Sequence, residues 1–463
     1  MRRARSPIFF FGVAVFFCVS LPSSYADHRS WENDSVTVSD VFRHIEERYL
    51  HQLDTNVCRN TMLREARSRS AQSGHGPDGS IDFSESCLYS MLDKYSFVET
   101  VKARKEQSIQ MGDVPYGGVG MGIRVKLPGK RVQVDSVFPN SGAEEAGIKM
   151  GDFIVRVRDE RETEFTQAED LQVVVDKLRG PPGTRVVVEI ERGGVVFSLT
   201  IMRKQVFVAT VFPQKIGPDI AYVGYVRVSS FGLNTADDFE NALLQMDPSK
   251  LKGLIIDLRD NSGGNLIAAT EMLYYFSKNP DDIMFAHRSR FGTEWQDVFY
   301  TIKEPLGGVC EQELLVGMYC PTFVVPQTGV TKVPGRFANL RVVVLVNKFS
   351  ASASEIFSGA LKDWGSQNGM FTIVGTTSFG KGIGQTIIPL DSRSSNSNKF
   401  YLHYTSFEFL VGNRGTSIHG VGVVPDVVVE DAEVDREPQS VYNGDVLDLE
   451  HDTQLKKALA ILR

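Results

Sequence analysis

From about residue 206 onward, short apolar runs alternate with stretches of helical spacing, and this limits the chain to a core of strands and helices in alternation. Ile220 to Val228 reads as a strand and Thr235 to Met246 as a helix. Gly253 to Leu258 is a second strand, followed by the Gly263-Gly264 turn and a helix from Leu266 to Ser277. Leu340 to Val346 is a strand, Ser352 to Lys362 a helix, and Phe371 to Val374 a further strand. Between them, residues 281 to 338 read as an irregular insertion.

Ahead of this core the period is different. Between about 103 and 205, strand-like runs are punctuated by glycine and proline: Gly117 to Gly122, Arg131 to Val137, Gly151 to Val157, Arg185 to Ile190 and Val195 to Ile201. Asn140 to Gly147 is a short helix after a turn, and Glu169 to Leu178 a longer one stopped by Arg179-Gly-Pro-Pro-Gly183. Gly193-Gly194 between the last two runs is a hairpin signal. Residues 27 to 102 read as mainly helical, with Val38 to Leu50 and Ser84 to Tyr95 as helices around a Gly/Ser/Pro-rich loop.

Two short runs carry chemistry. Ser352 is the middle serine of Ser350-Ala-Ser-Ala-Ser-Glu355, and Lys381 follows twenty-nine residues later in Phe379-Gly-Lys-Gly382. A serine hydroxyl needs a neighbouring base to become a nucleophile, and lysine serves only when kept neutral by desolvation or nearby cations. Each run alone has a plain structural explanation, a small-residue helix start and a glycine loop. The order of the blocks Asp257-Leu-Arg-Asp-Asn-Ser-Gly-Gly264, Ser350 to Glu355, Phe379 to Gly382 and Gly420-Val-Gly-Val-Val-Pro-Asp426 is more specific. It closely resembles that of the carboxyl-terminal processing peptidases, or tail-specific proteases, over the chain from about Val38 to its end.

The resemblance implies a multi-domain α/β (α+β) protein. A signal peptide (1–26) would precede an N-terminal helical region (27–102), an inserted PDZ domain (103–205), a crotonase-like peptidase core (206–430), and a C-terminal linker and helix (431–463). It maps the nucleophile to Ser352, the general base to Lys381 and the residue orienting that base to Gln385. The segment from Ser352 to Lys381 is about four residues longer than in the family, and the turn-type residues Ser366 to Gly369 are expected to absorb the excess in a surface loop. The free N–H groups at a helix start favour an oxyanion, so Ala353 is one expected oxyanion donor. The second is expected from Gly263 first and Gly264 next, where glycine lets backbone approach substrate. In the PDZ domain, Gly118, Val119, Gly120 and Met121 would form a backbone nest for a terminal carboxylate, with Val119, Met121 and Ile123 lining an apolar pocket. In such a family the PDZ domain can gate the active site, so a tail peptide is expected to stimulate hydrolysis.

The N-terminus reads as an export signal. Arg2, Arg3 and Arg5 precede the 14-residue apolar stretch Ile8 to Leu21, and Ser24-Tyr25-Ala26 offers a cleavage site. An exported, periplasmic protein is expected, with a plastid lumen as the alternative. Cleavage would take three arginines and no acids, moving the formal charge from −7 to −10. A net acidic chain without a basic cluster is a poor nucleic-acid binder. Four cysteines would remain, and Cys58–Cys87 and Cys310–Cys320 are the favoured pairs of three pairings. No metal site or cofactor is expected. The partners implied are protein or peptide substrates with free C-termini. A homodimer built by Val38 to Leu50 and Asp452 to Leu462, against the alternative of a cap on the core, stays open, as does an activator protein. The rival functions are a catalytically silent PDZ adaptor and a crotonase-like enzyme acting on thioesters.

Overall fold

The computed structural model describes residues 43, 45–51, 58, 60, 91–110, 116–126, 131–303, 333–390, 400–430 and 447–463, apart from the isolated positions 139, 169, 207, 219–220 and 448. The expected signal segment, most of the N-terminal helical region, Cys87, Cys310, Cys320 and the expected polar linker lie outside them. Cys58 is buried and disulfide-bonded, with a partner outside the described residues.

Strand β1 (Phe97–Thr100) and helix α1 (Val101–Gln110) precede the short strand β2 (Tyr116–Gly118). A compact module follows: β3 (Met121–Lys126), β4 (Arg131–Val137), α2 (Gly142–Glu145), β5 (Phe153–Asp159), β6 (Thr166–Gln167), α3 (Leu171–Leu178), β7 (Arg185–Arg192) and β8 (Val195–Met202). Its sheet runs β3-β4-β5-β7-β8, antiparallel throughout, with β3 on the edge. Gly193 and Gly194 both take positive φ, 60° and 81°, which is what a two-residue hairpin loop between right-twisted strands requires. Asp170 caps α3 by accepting from the Gln172 and Val173 N–H groups. Alternate residues of these strands, among them Val132, Val134, Val186, Val188 and Ile190, fill one apolar core with Val174 and Leu178 of α3. Strand β9 (Lys204–Val206) then pairs antiparallel with β2, so the module leaves the chain where it entered it, on a two-stranded ribbon.

The remaining chain folds as β10 (Val211–Ile216), β11 (Tyr222–Val228), α4 (Thr235–Gln245), β12 (Leu251–Asp257), α5 (Leu266–Tyr274), β13 (Ile283–Phe291), β14 (Glu294–Thr301), β15 (Val342–Val346), α6 (Ala353–Asn368), β16 (Phe371–Gly375), β17 (Ile383–Leu390), β18 (Phe400–Val411), β19 (Thr416–Ser417), β20 (Val427–Val428) and α7 (Thr453–Leu462). One sheet runs β10-β11-β12-β15-β16-β20, parallel except at its β10 edge. A parallel sheet is covered on both faces, and its strands are apolar on both. Val342–Val346 is accordingly buried at every position. A second sheet has the order β1-β18-β13-β14, with β17 and β19 also on β18. Helices α5 and α6 share one apolar core with both sheets, including Phe357, Phe276, Phe371, Phe285 and Phe409. The other face of the parallel sheet is closed by α7 through Leu455, Ala458, Leu459 and Leu462. This C-terminal helix thus caps the core.

Three expectations are corrected. Residues 281 to 338 are not irregular throughout, because β13 and β14 form a regular hairpin turning at Gly292, whose φ is 59°. Ser366 to Asn368 are not a loop but the last turn of α6, which Gly369 ends in the left-handed conformation. Finally, β1 pairs with β18 of the core sheet, so α1 stands between the core and the ribbon rather than inside the small module.

Candidate active site

The loop after β15 places three serines in three environments. Ser350 is fully buried, and its hydroxyl donates to the Leu258 carbonyl at 2.8 Å. Ser354 is fully buried, and its hydroxyl donates to the Asn261 carbonyl at 2.9 Å. Both hydroxyls thus tie the loop to the end of β12. Ser352 is only half-buried, and its backbone sits at φ 57°, ψ −117°. A non-glycine residue at such angles stores strain of order 1–3 kcal/mol, and strain of this kind clusters at reacting residues. A sharp turn between a strand and a helix, with the serine at its tip, is the geometry that exposes a nucleophilic hydroxyl at the start of a helix.

That turn is held by a residue to which the sequence alone assigns no role. Glu355, fully buried in the first turn of α6, accepts from the Ser352 N–H at 2.9 Å and the Lys381 N–H at 2.8 Å on one oxygen. Its other oxygen accepts from the Gly380 N–H and the Ser378 hydroxyl, both at 2.6 Å. One carboxylate oxygen is therefore shared by the backbones of Ser352 and Lys381, which lays the serine turn and the lysine loop side by side. The available signal was an acid among apolar neighbours in the first turn of a buried helix. The Phe379 N–H also donates to the Ser350 carbonyl at 3.0 Å, so the two loops are bonded at a second point.

The Lys381 side chain is half-buried. Burial is the largest influence on its amine and lowers its pKa below the usual 10.5, while the Glu355 carboxylate works in the opposite direction. Four donors already occupy Glu355, and among the described residues Lys381 forms no ion pair. The neutral amine is the form burial favours. No hydrogen bond joins the amine to Ser352 or to Gln385. Gln385 sits at a register irregularity of β17, opposite Thr405, and its amide nitrogen is buried with no partner.

The Asp257 to Gly264 segment supplies the facing wall. Asn261 is fully buried; its amide donates to the Val228 carbonyl at 2.9 Å and accepts the Gly263 N–H at 2.8 Å. The Ala351 N–H donates to the Asn261 carbonyl at 3.0 Å. A Cβ on Gly263 would lie 2.8 Å from both the Ala351 carbonyl oxygen and the Ser352 Cβ, so only glycine fits against the serine turn. This geometry separates the two glycines. The Gly263 N–H, the first choice as oxyanion donor, is occupied by Asn261, whereas the Gly264 N–H has no acceptor among the described residues. The same is true of the Ala353 N–H. Farther back, buried Arg259 pairs with Asp257 at 2.6 Å and with Asp452 at the start of α7 at 2.8 Å, anchoring the end of β12.

In the small module, the Val119 and Gly120 N–H groups have no acceptor among the described residues, while their carbonyls accept from Ala143 and Phe138. Gly120 has φ 79°, and a Cβ there would meet the Ser141 Cβ at 2.3 Å. Val119 and Met121 are buried in the module's core, with Ile123 packed partly against it. Among the described residues, no group of three or more His, Cys, Asp or Glu is arranged to hold a metal ion.

The comparisons with known proteins agree with this division. Residues 222–429 match the family model for peptidase family S41, and residues 119–202 match that for the PDZ domain. The carboxy-terminal-processing protease of Bartonella bacilliformis is 31% identical over 349 residues, covering 74% of this chain and 68% of that one. The carboxy-terminal processing protease CtpB of Bacillus subtilis is 29% identical, covering 75% of this chain and 62% of that one. A probable CtpA-like serine protease of Staphylococcus saprophyticus is 28% identical over 73% of this chain. The chain spans 58% of that relative's length. Among solved structures, the photosystem II D1 C-terminal processing protease is matched over 85% of this chain and 92% of that one, at 22% identity and a TM-score of 0.43. The chain belongs to the carboxy-terminal processing proteases of peptidase family S41, and its small module is a PDZ domain.

Proposed function

We propose that the protein is an exported serine endopeptidase that cleaves proteins whose C-terminal tails its PDZ domain captures. The observation that carries this reading is the single Glu355 oxygen shared by the backbones of a strained serine and a desolvated lysine. In the proposed reaction, the neutral Lys381 amine takes the Ser352 hydroxyl proton as the oxygen attacks the scissile carbonyl. The tetrahedral oxyanion is held by the Ala353 and Gly264 N–H groups and by the positive end of α6. Lys381 then gives its proton to the leaving amine, and water, deprotonated by the same amine, hydrolyses the acyl-enzyme. Gln385, with its buried and unpartnered amide, orients the lysine once the base closes on the serine.

The PDZ reading is supported by the edge position of β3 and by the open N–H groups of Val119 and Gly120. A tail can add as a strand along β3 and place its carboxylate on that nest. The two-stranded ribbon is a narrow connection, so tail capture can shift the PDZ domain as a unit and stimulate the site. Export rests on the signal-like residues 1–26. The decisive test is Ser352→Ala: loss of peptide cleavage with tail binding retained supports the protease, whereas unchanged cleavage removes it in favour of an adaptor.

A further inference from the structure

His403 is the fourth residue of β18, and three elements meet on it. From β1, the Phe97 ring stacks on the imidazole with centroids 4.3 Å apart and planes at 11°. The Glu99 carboxylate, also on β1, meets its Nε2 at 2.5 Å. From α1, the Arg104 guanidinium reaches the same nitrogen at 3.5 Å and Glu99 at 3.6 Å, and lies over the Tyr401 ring at 4.9 Å. From the opposite edge of β18 comes β17, which begins two residues after Lys381 and pairs with β18 through His403 itself, opposite Ile387. Burial holds the imidazole below the usual histidine range against the pull of Glu99, and the positive charges of Arg104 and Lys381 act in the same direction as burial. The side chains of His403, Glu99 and Arg104 are 10%, 9% and 13% exposed.

The position of this cluster in the chain gives it a meaning. β1 and α1 are the last elements before β2, the first half of the ribbon that carries the PDZ domain. α1 is the last described element on the chain before the ribbon, and it is fastened to the core sheet through Arg104, Glu99 and the four-residue pairing of β1 with β18. The strand to which β1 is paired also holds β17 and so the lysine loop, which donates to Glu355 through the Lys381 N–H.

We propose that His403, clasped by Glu99 and Arg104, is a positioning residue for Lys381, the joint through which the PDZ-bearing helix α1 sets the lysine against the serine. The proposal rests on the protease reading above and names the route by which tail capture would reach its base. His403 touches no reacting atom and acts by fixing β18 against β1 and α1.

The test uses the full chain carrying His403→Phe, which keeps a ring to stack on Phe97 and removes the bond to Glu99, and His403→Gln, whose amide can bond to Glu99 again. The first readout is the ratio of kcat with and without a tail peptide on an unrelated short substrate. A coupled site typically responds about 5- to 150-fold. His403→Phe is expected to bring that ratio to within about twofold of one with the tail-peptide Kd unchanged, and His403→Gln to restore it. A loss of packing alone would lower kcat with and without tail in the same proportion and leave the ratio intact, which would overturn the proposal. The second readout needs no turnover. Hydrogen exchange is expected to rise together in 101–110 and in 379–384 of His403→Phe, and exchange that rises in the first segment alone overturns the proposal. If the wild-type chain cleaves nothing, the protease reading fails by itself, and the exchange pattern still decides whether the joint exists.

Discussion

The PDZ domain and the proposed catalytic centre are built by opposite rules. Every strand of the PDZ sheet comes from residues 121–202, and each is bound by turns to a neighbour close in sequence. The proposed catalytic centre gathers Asn261, Gly264, Ser352, Glu355 and Lys381 from three segments between residues 261 and 381, and one carboxylate fastens the serine and lysine loops. A locally built module can be moved as a body without being unmade. A centre assembled from distant loops changes when any one of them shifts by a fraction of an ångström. Under the proposed function, the difference would let one chain bind with a rigid part and switch with a delicate one.

Four expected outcomes would break or sharpen that contrast. The largest is Ser352→Ala, which should lower kcat by roughly 10⁶ while leaving tail affinity within twofold; single-turnover cleavage and tail titration on the same sample check both halves. Next is Glu355→Gln. Its amide cannot accept all four donors that the carboxylate does, so it should cost about 3 kcal/mol of core stability and two to three orders of magnitude in kcat. Denaturant unfolding with separate core and PDZ transitions would show whether the loss stays in the core, as the account requires. Third, Val174→Ala in the PDZ core should remove about 2–3 kcal/mol from that domain alone; a matching loss in the core transition would mean the two are not separate units.

The smallest effect is the pH response. Burial lowers the Lys381 pKa in the folded chain below its unfolded value of 10.5, so the unfolded chain binds more protons between the two. The penalty of housing the charged amine is complete below the folded pKa and gone above 10.5. Stability should therefore rise with pH across that window, and Lys381→Met should flatten the rise. The neutral amine fraction grows in the same direction, so kcat should climb through the folded pKa. Melting temperatures of the two proteins across pH 7 to 10 measure the first effect and a pH–rate profile the second. A rate that is flat while chemistry limits turnover contradicts the assignment of the base.

Much of this was legible in the residues. The PDZ elements stand out because strand-like runs are separated by glycine-bearing turns, Gly193-Gly194 above all. Ser352 and Lys381 stood out because their blocks occur in a fixed order. What failed to show was whatever depends on a partner far along the chain. Gly263 and Gly264 look equal in sequence, and only the Asn261 side chain, by taking the Gly263 N–H, separates them. Glu355 stands within a recognisable block, but its four donors come from two loops that no local pattern connects. The β13–β14 hairpin went unread because its outer residues Trp295 and Phe299 are exposed while Tyr300 is buried, which blurs the alternation. The helical finish of α6 was hidden by turn-type residues that fit equally well in a last helical turn capped by Gly369.

The central claim is that Lys381 is held as a base beside Ser352, and its ionisation can be observed directly. An NMR titration of isotopically labelled lysine side chains, with the Lys381 signal assigned by its loss in Lys381→Arg, reads it without any substrate. The account predicts a midpoint below 10.5 for this amine, falling further when a tail peptide is added. A midpoint at or above 10.5, unmoved by the tail, would contradict it.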